Sequence, residues 1–128
     1  MNTQYLSILL LAVALNATAN DAKNDWHDTT LSEETIQKIQ QAGFDYKKCA
    51  SDAMQKEVYL TQDSRAATEE VIKSCEPILA KMRQVYVDEN VPEVVADRHL
   101  KQMRIKTTRN VLQEMMYTEA ARSVAPKQ

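Results

Sequence analysis

The chain is predicted to be all-α: a small helical bundle, built from a helical hairpin plus a long C-terminal helix and stapled by one disulfide. Three observations predict it. The 128 residues include one glycine and three prolines, too few for a sheet, whose strands need frequent reversals. Ala, Gln, Glu, Lys, Met and Leu are abundant, and these residues lose little on entering a helix. Apolar side chains recur at steps of three and four, not two, over long stretches.

The N-terminal element is read as a leader rather than a part of the bundle. Leu6 to Leu15 is an apolar run interrupted only by Ser7, and Ala17-Thr18-Ala19 follows it. That is the layout of a secretory signal with an A-x-A cleavage site. The run is shorter than the roughly 20 apolar residues of a comfortable membrane span. The segment before it has no Lys or Arg, a departure from the usual signal, so a membrane anchor or a buried N-terminal helix is the competing reading. No cysteine follows the small residues, which argues against a lipid anchor. The expected division is 1–19 signal peptide, 20–29 flexible segment, 30–122 helical domain and 123–128 frayed tail. Cleavage after Ala19 would leave 128 − 19 = 109 residues, room for one core. The expected location is exported, periplasmic or secreted, with no stable membrane span after cleavage.

Within the domain, Thr30-Leu31-Ser32-Glu33 fits a capping box, with Thr30 as the cap. A first helix then runs to about Gln41. Gly43 sits where a helix C-terminus favours glycine, so a break is expected there; one bent helix running through it is the alternative. A second helix spans about Tyr46 to Leu60. Thr61 to Ser64 reads as a turn, with Asp63 or Ser64 capping the third helix, about Arg65 to Val87. Its stripe is Thr68, Ile72, Cys75, Leu79, Met82 and Tyr86, in steps of four, three, four, three and four. Pro77 lies inside it, so a kink near Lys73 to Pro77 is expected, in preference to a full break. Asp88 to Val91 is the next turn, and Pro92 suits the first turn of a fourth helix. That helix is expected to reach about Arg122. One face carries Ala96, Leu100, Met103, Thr107, Val111 and Met115; a second carries Val94, Ile105, Leu112 and Met116.

Cys49 and Cys75 are the only cysteines, and each lies thirteen residues from Gln62. In an antiparallel hairpin turning there, the two positions come level, as a disulfide needs its Cα atoms within about 6 Å. Such a bridge stabilises by about 3 to 3.5 kcal/mol in the chain-entropy treatment. With no C-x-x-C spacing, a structural bridge is favoured over redox chemistry.

Few residues invite chemistry. The balance of 16 basic and 18 acidic residues, net −2, argues against general nucleic-acid binding. His27 and His99 lack the spacing of a zinc site, and both read as solvated. Of the methionines beyond the leader, Met54, Met82, Met103 and Met115 fall on core stripes and Met116 does not, so packing is favoured over copper binding. Neither a G-x-S-x-G elbow nor a glycine-rich phosphate loop occurs. No catalytic residue, no metal site and no cofactor is expected, and the chain is read as no enzyme.

What remains is surface. Arg98, Lys101, Arg104, Lys106 and Arg109 follow one another without an intervening acid. They form either a solvated face, paired with acids such as Glu69 or Glu70, or a contact for an acidic partner or membrane. Ile105, Leu112 and Met116, with Arg98, Lys101 and Arg109, make up the candidate partner surface. The expected function is an exported, non-enzymatic interaction protein, chaperone-like or an assembly factor, binding a partner or itself through the last helix. The alternative is a periplasmic small-ligand or metal-binding protein, with its cavity near Pro77 or the methionines. In general plan the chain resembles the small periplasmic acid-stress chaperones, which are also exported, helical and held by one disulfide. It lacks their Trp-Thr-Cys approach to the first cysteine, so no residue role carries over.

Overall fold

The computed structural model describes residues 31–125. The proposed signal peptide, the segment before residue 30 with His27, Thr30 itself and the last three residues lie outside them. The described chain folds into α1 (Glu33–Met54), α2 (Glu57–Leu60), α3 (Ser64–Ser74), α4 (Glu76–Asp88) and α5 (Glu93–Val124). There is no strand among the described residues, and the all-α expectation holds. Three rods pack up-down-up: α1, the α3–α4 pair, and α5, each antiparallel to the one before it. The middle rod turns one half to each neighbour, α4 lying chiefly against α1 and α3 chiefly against α5.

α1 is capped by Ser32, two residues beyond the expected cap, Thr30. The Ser32 hydroxyl accepts from the Thr35 amide at 3.1 Å, and Glu33 and Glu34 set negative charge in the first turn, where the helix dipole favours it. The expected break at Gly43 is absent: α1 runs through it to Met54 without a positive φ. The glycine answers a packing need instead. A Cβ at Gly43 would meet Met103 Cε at 3.2 Å and Met82 Cε at 3.7 Å, so its absence lets α1 approach both neighbours. The second predicted helix is therefore the C-terminal half of α1 plus the single turn of α2. α3 is capped as expected by Asp63, whose Oδ1 accepts from the amides of Arg65 (3.0 Å) and Ala66 (3.1 Å).

The expected kink is a break. Cys75, at φ −98° and ψ 0°, ends α3 and precedes α4. Its amide bonds back to Ile72, and its carbonyl accepts from Ile78 and Leu79 to start the next helix. Pro77 thus falls in the first turn of α4, where a missing amide proton costs nothing. The stripe keeps phase across the interruption, and all six of its residues are buried.

α4 ends in a Schellman turn. Asn90 takes the left-handed conformation (φ 57°), which Asn tolerates better than most residues. Its amide bonds Val87, and that of Val91 bonds Tyr86 at 3.0 Å, the paired bonds that define the motif. The buried side chains of Val91 and Tyr86 supply its apolar contact. Pro92 sits just outside α5 as its cap. α5 is helical through Val124, so Ser123 and Val124 extend it rather than fray.

Cys49 on α1 and Cys75 at the break form the bridge, with Cα atoms 5.9 Å apart. It is flanked by Tyr46, Ala50, Val71 and Leu79 of one continuous core, which continues into α5 through Ala96, Leu100, Val111 and Met115. Each fully buried aliphatic side chain there contributes about 1.5 to 3 kcal/mol. Both ends of the bundle are clasped by polar contacts. At one end, Glu89 accepts from the Thr35 hydroxyl at 2.8 Å and from Lys38 Nζ at 2.7 Å. At the other, Glu119 accepts from the Ser64 amide at 3.0 Å, while Arg122 donates to the carbonyls of Leu60 and Gln62.

Candidate functional site

α5 has two distinct faces because its 32 residues carry more apolar side chains than one stripe can hold. The inner stripe is spent on the core: Ala96, Leu100, Thr107, Val111 and Met115 are buried and Met103 half-buried. The outer surface keeps the rest. Met116 is 55 % exposed, Ile105 and Leu112 are half-buried, and Arg98, Lys101 and Arg109 are exposed. The structure extends this surface with Tyr117, 64 % exposed. Its position directly after Met116 was the available signal, missed because a lone tyrosine near a C-terminus reads as an ordinary amphipathic residue.

The outer residues do not form one continuous patch. Leu112 borders a groove of ≈ 620 Å³ between α3 and α5, with Arg65, Thr68 and Ile72. Ile105 and Arg109 border a larger groove of ≈ 730 Å³ between α1 and α5. Arg98, Lys101 and Met116 line neither. The larger groove has Ala50, Met54, Met103 and Val111 as apolar lining and Lys47, Lys106 and Arg109 as its cations. Lys47 comes from α1, so no reading of the last helix alone could have found it.

Charge divides the surface in the same way. Arg104 leaves the basic stretch to pair with Glu76 on α4, not with Glu69 or Glu70. Arg83 pairs with Asp97 at 2.8 Å, which holds the Asp97 carboxyl below the usual range. Lys38 and Lys48 also face carboxylates. Among the described residues no carboxylate pairs with Lys47, Arg98, Lys101, Lys106 or Arg109.

Two tyrosines lie beneath these helices. Burial pushes Tyr86 up to about 12, and its hydroxyl meets Nδ1 of His99. The two rings stand edge to face, centroids 5.6 Å apart. His99 is exposed, as expected, yet it is held in orientation by a core tyrosine on the preceding helix. Burial also raises Tyr46, with the Glu76 charge adding to it; among the described residues its hydroxyl has no hydrogen-bond partner. Among the described residues no three His, Cys, Asp or Glu side chains cluster to hold a metal ion, and no helix is long and apolar enough to cross a membrane.

What these features define is a disulfide-stapled three-rod helical bundle with surplus apolar and basic surface on its last helix. In comparisons with protein-family models, curated proteins and solved structures, nothing matches this chain.

Proposed function

We propose that the chain is an exported, non-enzymatic interaction protein that binds a partner protein through the outer surface of α5. The observation that carries this reading is the exposure of Met116 and Tyr117 on a helix whose inner stripe already completes the core. Large apolar side chains that add nothing to the fold cost solubility, and a partner that covers them recovers their burial. Methionine suits such a contact because its unbranched side chain adapts to the surface it meets. The exposed guanidinium and ammonium groups of Arg98, Lys101 and Arg109 would guide an acidic partner to the same helix. Export rests on the apolar run and A-x-A site near the N-terminus.

The test is Leu112→Glu together with Met116→Glu. Circular dichroism should show an unchanged helical fold, because neither residue belongs to the buried core. Partner recovery from the native host, or self-association by size-exclusion chromatography, should be lost. Unchanged association with the fold intact would sink the reading.

A further inference from the structure

We propose that the α1–α5 groove docks an acidic amphipathic helix of the partner protein. This rests on the partner-binding reading above and names the chemistry of what is bound.

The groove has the dimensions for a helix to lie along. Its α5 wall runs from His99 to Val111, a rise of about 18 Å or somewhat over three turns. Its α1 wall runs from Lys47 to Met54. Between them the apolar lining includes two half-buried methionines, Met54 and Met103, which can re-pack around an incoming side chain. The middle rod already fills one side of the α1–α5 pair. A fourth helix on the other side would complete a four-helix arrangement, the packing that antiparallel rods of this kind commonly reach.

The charges select the occupant. Lys47 stands on one wall, Lys106 and Arg109 on the other, and among the described residues no Asp or Glu lines the groove. Among the described residues none of these three cations is paired, whereas Lys38, Lys48, Arg83 and Arg104 all are. In a chain of net charge −2 this is a local reversal of sign. Cations on both sides of an apolar strip match a helix with apolar anchors at i, i+4 and i+7 and carboxylates on both flanks. Ser51, Gln102 and Asn110 add hydrogen-bonding groups along the same walls. A free inorganic anion would use the cations and leave the apolar strip idle.

The probe is a fluorescein-labelled synthetic helix with Leu at that spacing and Glu on both flanks. A second probe carries Lys in place of each Glu. Fluorescence anisotropy with the full oxidised chain should show saturable binding of the Glu probe alone, weakening as salt rises. Lys106→Glu with Arg109→Glu should reduce affinity about tenfold or more and transfer binding to the Lys probe. Lys106→Gln with Arg109→Gln, a milder change, should give an intermediate loss. Equal binding of both probes, no saturable binding, or indifference to the charge reversal would overturn the proposal. Binding of oleate in place of the Glu probe would overturn it in favour of a lipid. A dimer that the charge reversal dissociates would overturn it in favour of a second copy. If Leu112→Glu with Met116→Glu abolishes native partner binding while the groove variant keeps it, the partner reading stands and the groove proposal falls. If neither variant changes it, both fall.

Discussion

The seam between α1 and the middle rod and the seam between α1 and α5 are built from the same helix, yet they are packed to different ends. The first is sealed. It holds the Cys49–Cys75 bridge, the fully buried Tyr46 and Met82, and the clasp of Thr35 and Lys38 on Glu89. The second touches closely at Gly43 and then opens into a groove, with its methionines only half-buried and its cations unmatched. The contrast teaches that tight packing and open apolar surface are separated on opposite flanks of one helix, and on the proposed reading the open flank is the one that serves recognition. Dense packing specifies a single arrangement; a half-filled apolar strip keeps the freedom to meet another molecule.

Removing the bridge is the strongest way to test the sealed seam. Cys49→Ser with Cys75→Ser should cost about 3 to 3.5 kcal/mol in denaturant unfolding. The parent in reductant should lose about as much. A loss below about 1 kcal/mol would mean that the seam is held by packing alone. The comparison itself is tested by two methionines that both approach Gly43. Met82→Ala should cost about 2 to 3 kcal/mol, because Met82 is buried in the sealed seam. Met103→Ala, at the edge of the groove, should cost about half that. Equal losses would show that the α1–α5 seam is as tightly packed as its neighbour.

The smallest effect concerns acid. Lys38 first, and the Thr35 hydroxyl second, hold the Glu89 carboxyl below its ordinary value of 4.5. A depressed carboxyl contributes its stability in full above that value and loses it as pH falls through the lower, folded-state value. Melting temperature should therefore decline below pH 4.5, and the decline should be shallower in Glu89→Gln. The change is small because Lys38 is solvent-exposed and the pair is screened. A decline of equal steepness in the variant would assign the acid sensitivity to other carboxylates, Asp97 among them.

Much of the fold was legible because it depends on local pattern. The stripe from Thr68 to Tyr86 shows its three-and-four spacing directly, and the bridge follows from two cysteines equidistant from one turn. The misreadings share a cause: one residue type serves two purposes. Glycine at a helix end and glycine at a close helix crossing look alike in sequence, and only the methionine of another helix, Met103, tells them apart. Thr30 and Ser32 are both hydroxyl residues two apart, each with a residue at the capping spacing three positions on, so the pattern alone does not choose; it is the Ser32 hydroxyl that accepts from the Thr35 amide. Proline kinks a helix it interrupts but starts one whose first turn it occupies, and the backbone at Cys75 decides for the second. The candidate surface was legible only in part. Ile105, Leu112 and Met116 follow from the spacing along one helix. The groove joins Lys47 to Lys106 and Arg109 across two helices, and the pairing of Tyr86 with His99 likewise has no local signature.

The position of the bridge has a further consequence for the chain as a covalent object. Cys49 and Cys75 enclose the α1–α2 connection and the turn that follows it, where Lys56 is exposed and held in extended backbone outside any helix. A protease that cuts after lysine would find that residue readily. A single cut there separates α1 from everything after it, yet the two pieces remain one molecule, joined through sulfur and still interlocked around the same core. Nicked and intact chains would travel together until a reductant parts them.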